Sequence, residues 1–392
     1  MTAIDLPHPA STVARAENST LFVALELSRK SWLVATSAPG ETKISKRTVP
    51  AGAGPGLLSL LAELRERTEK RIGRQVPVVT IQEAGLDGFW LHRLLGANGI
   101  ESHVVDPASI AVDRRQRRRK TDAIDVEALL RTLMAWVRGE RRVCSMVRPP
   151  SPEDEDRRRL SREREALVKE RIQHTNRIKG LLSAQGIADF EPLRPTDRAQ
   201  FDGLMTGDGK PLPPRLKDEL RRHFERLDAV VTHIDAVEAE RDALLKTAKS
   251  AAVSSAAPPA AVSTLQQLKG IGPEFASVLW FEALFRDFGN RREIASYGGL
   301  APSPWKSGGI DRDQGIGKAG NPRLRKTMIQ LAWLWVRHQP GSAISRWFAA
   351  RVGTARGRMR RIAIVAVARK LLVALWRFAT QGVVPEGAVM KA

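Results

Sequence analysis

The sequence predicts an α/β domain followed by a helical half, and three observations carry that division. Apolar runs near the amino terminus alternate between strand-like and helix-like spacing. Two long charged stretches in the middle carry helical periodicity. The carboxyl-terminal part is helix-rich and strongly basic.

The α/β part comes first. "LFVALELS", "SWLVATSA" and "ETKISKRTVP", all within residues 21–50, are strands joined by short connections, as in an antiparallel meander. "LLSLLAELRERTEK" then has helical spacing, and "VPVVTIQE" (76–83) returns to a β-branched strand. "DGFWLHRLLGANG" reads as a helix from Asp87 to about Gly99, "ESHVVDP" as a strand and "TDAIDVEALLRTLMAWV" as a helix. Three strands, then helix, strand, helix, strand, helix is the order of ribonuclease H-like folds, an analogy of fold that leaves the activity open.

From 154 to 182 the chain predicts a long charged helix bearing Leu160, Leu167, Ile178 and Leu181. A second helix, 214–245, spaces Leu220, Phe224, Leu227, Val231 and Ile234 alternately by four and three, the seam of a short coiled coil. The stretch between them, 186–213, contains Pro and Gly and suggests an antiparallel hairpin. Such a hairpin serves dimerisation, a reach between domains, or simply packs as a stalk on its own chain. "KSAAVSSAAPPAAVS" (249–263) has the composition of a linker. The expected organisation is a flexible tail (1–20), a ribonuclease H-like domain (21–150), a coiled-coil hairpin (151–247), a linker (248–263) and a mainly helical domain with a helix-hairpin-helix-like motif (264–392).

Composition narrows the function. The net charge of +21 attracts polyanions, nucleic acid first. An anionic membrane fits less well, because the basic residues are spread over several segments without a lipidation motif. From Lys318 onward, fifteen Lys or Arg face one acid, Glu386, a net +14 over a broad face. Cys144 is the only cysteine, which excludes a disulfide framework and a cysteine-based zinc site. The seven histidines lack paired metal-ligand spacing, so a metal site would use oxygen ligands and favour Mg²⁺ or Mn²⁺. The opening residues lack the apolar run of a signal peptide. The most apolar segment, "IAIVAVARKLLVALW" (362–376), is too short to span a bilayer and holds Arg369 and Lys370. The expected location is the cytosol or the nucleoid.

"RRQRRRKTDAIDVEALL" (114–130) sets Arg114, Arg115, Arg117, Arg118, Arg119 and Lys120 before two aspartates. Asp122 and Asp125 are three apart on a helix and share a face. They either hold a divalent cation or favour the positive end of the helix dipole. Glu26 lies inside the apolar "FVALELS" and Glu83 ends "VVTIQE". A buried carboxylate is costly unless paired, and metal coordination is one way to pair it. Glu26 on the solvated face of an edge strand is the alternative. In a ribonuclease H-like arrangement the four acids would meet at one sheet edge around one or two Mg²⁺ ions. The basic run would then hold nucleic-acid phosphates beside them.

"LQQLKGIGPEFASVL" (265–279) carries Gly270 and Gly272 between two helical patterns, as backbone contact to phosphate requires; a tight helix–helix turn needs the same glycines. "GGLAPSPWKSGGIDRDQGIGKAGNPRLRK" (298–326) is a Gly- and Pro-rich loop between helical segments. It places Ser307 beside Lys306, with Lys318, Arg323 and Arg325 following. A serine nucleophile needs a base and cations; the cations are present and a histidine base is not, so chemistry alone favours an ordinary loop serine.

Together, "ALELSRKSWLVAT", "QEAGLDGFWLHRLLGANGIESHVVDPA", "RRKTDAIDVEALL", "LKGIGPEFASVL" and "YGGLAPSPWKSGGIDRDQGIGKAGNPRLRK" resemble, in order, the DEDD transposases of the insertion-sequence one-ten family, recombinases guided by a bridge RNA. The resemblance covers roughly residues 21–380. It implies a RuvC-like domain with metal ligands Glu26, Glu83, Asp122 and Asp125, a coiled coil used in dimer assembly, and nucleophilic Ser307. It further implies DNA (element ends and target) and a non-coding bridge RNA as partners, and a homodimer that becomes a tetramer on DNA. In such an assembly the RuvC-like domain of one subunit faces the serine of another. One position departs from the family pattern: the first strand reads "LELSR" where the family has aspartate, as in "IDVSK". Glu26 is one methylene longer, and Mg²⁺ is strict about octahedral geometry. Two other readings are a RuvC-type junction nuclease with water as nucleophile, and a non-catalytic nucleic-acid-binding descendant.

Overall fold

The computed structural model describes residues 19–85, 88–110, 121–250, 260–284, 286, 288–307, 309–317 and 320–391. Side chains at 108, 157, 246–250, 260, 261, 304–307 and 310–314 fall outside that description. The chain forms two compact units, Met1–Pro150 and Ser151–Ala392.

The first unit is α/β. Its sheet comprises β1 (Leu21–Leu27), β2 (Ser31–Ser37), β3 (Ser45–Pro50), β4 (Val78–Glu83), β5 (Glu101–Val105) and β6 (Met146–Val147), in the order β3-β2-β1-β4-β5-β6. β1, β2 and β3 pair antiparallel, β1, β4 and β5 pair parallel, and β6 runs antiparallel to β5. This mixed six-stranded sheet is consistent with a ribonuclease H-like domain.

Alternation along the strands decides which layer each residue meets. Leu21, Val23 and Leu25 pack against α1 (Gly54–Ile72) and α2 (Trp90–Ala97) through Leu57, Leu61, Leu91 and Leu95. Phe22, Ala24, Val79 and Ile81 pack on the opposite face against Val126, Leu129, Leu130 and Leu133 of α3 (Asp122–Val137). Because both faces are covered, β1 reads as a continuous apolar run, while β4 buries the polar Thr80 and Gln82 between its aliphatic residues. Each fully buried aliphatic side chain contributes about 1.5–3 kcal/mol. Helix α1 ends where Gly73 adopts φ 70°, with Lys70 and Arg71 in its last turn complementing the dipole. The described part of the second helix begins at Trp90, later than the Asp87 read from sequence, and Asp87 itself lies outside the described residues.

The second unit opens with α4 (Pro152–Ser183). Ser151 caps it by accepting from Asp154 N at 3.1 Å, and Pro152 and three acids occupy its first turn. It lies antiparallel to α6 (Pro214–Ser250), as the ion pairs Arg177–Glu219 and Arg164–Glu238 require. Their seam is Ile178, Leu182 and Leu167 against Leu220, Phe224, Leu227, Val230 and Ile234. The connecting segment, which includes the short α5 (Pro195–Ala199), closes the tip with Phe190, Phe201 and Leu212, Phe201 meeting Phe224 edge-on at 4.9 Å.

The remaining elements are α7 (Ala260–Gln266), α8 (Pro273–Leu279) with a π-helical turn Trp280–Leu284, α9 (Arg291–Tyr297), α10 (Pro322–His338), α11 (Ala343–Val352) and α12 (Arg358–Gln381). Their shared core includes Leu268, Leu331, Trp335, Leu371 and Leu375. The apolar 362–376 segment lies within α12 and buries one face, through Ala363, Ile364, Val367, Ala368, Leu371, Leu372 and Leu375. Among the described residues no helix is long and apolar enough to cross a membrane.

Two sequence expectations change here. The linker read at 248–263 is partly helical: α6 continues through Ser250 and α7 starts at Ala260, alanine being the strongest helix former. The loop read at 298–326 contains a hairpin of β7 (Pro302–Ser307) and β8 (Ile310–Ile316). Prolines are tolerated because both strands of a two-stranded ribbon are edges, and the "GG" at its tip is a hairpin signal.

Candidate active site

Glu26 and Glu83 occupy equivalent places on neighbouring strands. Leu25 pairs with Gln82 in the parallel β1–β4 ladder, and the two glutamates follow one residue later. By alternation, Glu26 shares its face with Phe22 and Ala24, and Glu83 shares its face with Val79 and Ile81. Both belong to the α3 side and both are half-buried. Helix α3 packs on β1, β2 and β4, and Asp122 and Asp125 form its first turn. Asp122 is exposed, Asp125 is half-buried, and Val126 is sealed in the core directly behind them.

The fold therefore brings two strand ends and a helix start to one face of the sheet. It does not close the four carboxylates into a cage: among the described residues no three His, Cys, Asp or Glu side chains are grouped closely enough to hold a metal ion. The donor set itself, four carboxylates and no soft ligand, is of the kind that suits Mg²⁺ or Mn²⁺.

The other candidates are distributed as follows. Arg114, Arg115, Arg117, Arg118, Arg119, Lys120 and Lys318 lie outside the described residues. Ser307 ends β7 and pairs with Ile310, so its backbone stands at the tip of the hairpin, with Lys306 beside it; their side chains are outside the description. Gly270, at φ 90°, would press a Cβ to 3.2 Å from His338, so its glycine already has an internal reason. Gly272 precedes α8 and faces open space. Arg325 is half-buried. Arg323 is turned inward, with Nη2 2.7 Å from Glu165 and 2.8 Å from the Ser161 carbonyl oxygen.

That inward turn leads to a cluster the sequence reading missed. Glu282, in the π-helical turn, is buried. It accepts from Arg162 Nε at 3.1 Å and Nη2 at 3.4 Å, from Arg323 Nη1 at 3.5 Å and from Asn321 Nδ2 at 2.9 Å. Burial pulls the Arg158 guanidinium below its ordinary pKa, with the Glu282 charge opposing. Burial pushes the Glu165 carboxyl up, but hydrogen bonding to Lys326 and the charges of Arg323 and Lys326 outweigh it and hold the group low. One signal was present in the sequence: a glutamate inside "VLWFEALF" is as anomalous as Glu26 inside "FVALELS".

Comparison with known proteins gives concordant results. Residues 28–185 match the transposase family DEDD_Tnp_IS110, and residues 262–346 match the "Transposase IS116/IS110/IS902 family". The chain is 55% identical to "Putative transposase y4rJ" of Sinorhizobium fredii, over 97% of each chain. It is 24% identical to "Transposase for insertion sequence element IS1328" of Yersinia enterocolitica, covering 79% of this chain and 85% of that one. It is also 25% identical to "Transposase for insertion sequence element IS1111A" of Coxiella burnetii, covering 78% and 79% respectively.

Proposed function

The chain belongs to the IS110 family of transposases, and we propose that it moves its element by RNA-guided DNA strand exchange through a covalent Ser307 intermediate. The observation that carries this reading is the position of Glu26 and Glu83, each one residue past the last β1–β4 pair, Leu25 with Gln82, on the face covered by the helix that starts with Asp122 and Asp125. A RuvC-like domain acting on phosphodiesters would use that face.

In this reading the domains are the RuvC-like unit (21–150), a coiled-coil hairpin (151–247) used in homodimer assembly, and a carboxyl-terminal domain (264–392) bearing the serine. Glu26, Glu83, Asp122 and Asp125 would hold one or two Mg²⁺ ions, which supply Lewis-acid polarisation of a phosphoryl oxygen. The Ser307 hydroxyl loses its proton as Oγ attacks phosphorus. A new Oγ–P bond forms while the bond from phosphorus to one deoxyribose oxygen breaks, and that oxygen leaves as a hydroxyl. The number of phosphate ester bonds is unchanged, so a second DNA hydroxyl can reverse the step and rejoin strands without an energy source. Lys306, Lys318, Arg325 and the 114–120 run would contact phosphates, with Gly272 allowing backbone approach. Arg323 would act there only if it left Glu165 and Glu282.

The test uses purified protein with element-end and target DNA, Mg²⁺ and RNA transcribed from the element's non-coding flank. Ser307→Ala should abolish cleavage while retaining RNA binding. Cleavage that persists in Ser307→Ala, without RNA, would instead identify a metal-dependent junction nuclease using water.

A further inference from the structure

We propose that Glu282 is a positioning residue that fixes the base of the hairpin carrying Ser307, an inference that rests on the reading of Ser307 as nucleophile. A two-stranded hairpin is marginal by itself, so the aim of its tip depends on what holds its base. Here the entry and exit of the hairpin are stitched by backbone. Gly317 N donates to Ala301 O at 2.8 Å, and Asn321 N donates to Tyr297 O at 2.7 Å. The approach is so close that a Cβ on Gly320, at φ 101°, would stand 2.4 Å from the Tyr297 carbonyl oxygen.

Asn321 then performs two tasks. Its Oδ1 caps α10 by accepting from Arg323 N and Leu324 N, each at 3.0 Å. Its Nδ2 donates to Glu282 Oε2 at 2.9 Å. Glu282 is in turn gripped from α4 by the two-pronged contact of Arg162, and from α10 by Arg323, whose other nitrogen reaches back to Ser161 O on α4. One buried carboxylate thus joins α4, the π-helical turn, the start of α10 and the exit of the hairpin.

Stability alone is a weak reason for this arrangement, since replacing every member of a buried ion cluster by packed apolar residues is often neutral, although removing one member alone is costly. What hydrogen bonds to a carboxylate add is direction. The π-helical turn at Trp280–Leu284 belongs to a rare class of helical irregularity often found at functional sites. Glu282 touches no reacting atom in this account; it acts through Asn321 on the chain that aims Ser307.

Two full-length variants test the link from opposite sides. Glu282→Gln keeps the shape and removes the charge. Asn321→Ser keeps an oxygen for capping α10 but is too short to reach Glu282. Hydrogen exchange of the 302–316 amides should accelerate at least tenfold in both, with α12 amides unchanged. The single-turnover rate of covalent protein–DNA adduct formation should fall about 10–100-fold, the scale for small misplacement of a reacting group, while DNA affinity stays within about threefold. Unchanged 302–316 exchange in both variants would overturn the proposal. So would exchange rising uniformly across the carboxyl-terminal helices with DNA affinity lost in proportion, because that marks general loosening. An adduct still formed by Ser307→Ala would sink the serine reading, and the exchange experiment would still decide the Glu282 link.

Discussion

Glu282 and the Glu26–Glu83 pair are all carboxylates planted in apolar segments, yet the two units treat them differently. Glu282 is buried and surrounded by Arg162, Arg323 and Asn321, which fix both of its oxygens. Glu26 and Glu83 are half-buried at strand ends, on a face where Asp122 and Asp125 add further negative charge. A carboxylate enclosed by guanidinium groups has its charge answered by the protein and becomes part of the frame. Under the proposed function, acids at such an accessible strand edge would be placed to receive a cation from outside.

The largest effect expected from this contrast is on chemistry. Glu83→Gln should lower DNA cleavage by on the order of 10²–10³-fold, the scale for removing one group that stabilises transition-state charge. Its melting temperature should stay close to that of the parent, measured in parallel. A variant that melts much earlier would place Glu83 with the frame instead. The reverse holds in the other unit: Glu282→Leu should cost about 3 kcal/mol in urea unfolding, because it breaks a buried ion cluster from one side and leaves the donors of Arg162, Arg323 and Asn321 without their shared acceptor.

A smaller effect is expected at Glu26. Glu26→Asp shortens the side chain to the length the resemblance leads one to expect, and should raise cleavage a few-fold in Mg²⁺ while changing little in Mn²⁺. A drop in both metals would show that this chain is built around glutamate.

How much of this was legible in the sequence follows from the range of the forces involved. Local alternation and apolar runs located β1 to β5 and the helices between them, and helical spacing placed Asp122 and Asp125 together. The two-residue β6 is too short for any pattern, and its pairing with β5 is a tertiary event. The β7–β8 hairpin was hidden because Pro302 and Pro304 speak against a strand wherever the number of neighbouring strands is unknown. The Glu282 cluster joins residues more than a hundred positions apart, so no local rule names Arg162 as its partner. What the sequence offered was only the anomaly of one acid in an apolar helix.

The smallest predicted effect is on pH dependence and lies in the α4–α6 pair. Burial, and then the adjacent His174, hold His223 below the ordinary imidazole pKa. The unfolded chain takes up a proton below about pH 6.5 that the folded chain resists, so stability present above that pH is lost as pH falls. The melting temperature should therefore decline between pH 7.5 and 5, and His223→Gln should flatten part of the decline. His92, lowered by burial and then by His103, contributes in the same direction from the first unit. A slope identical in His223→Gln and the parent would remove His223 from this account.

In the proposed reaction Ser307 carries the DNA strand during exchange. Protein incubated with element-end DNA, Mg²⁺ and the element's flanking RNA, then digested with protease and nuclease, can be mapped by mass spectrometry. A nucleotide is expected on the peptide containing Ser307, absent when chelator is added and absent in Ser307→Ala. Cleaved DNA with no nucleotide on that peptide would contradict it.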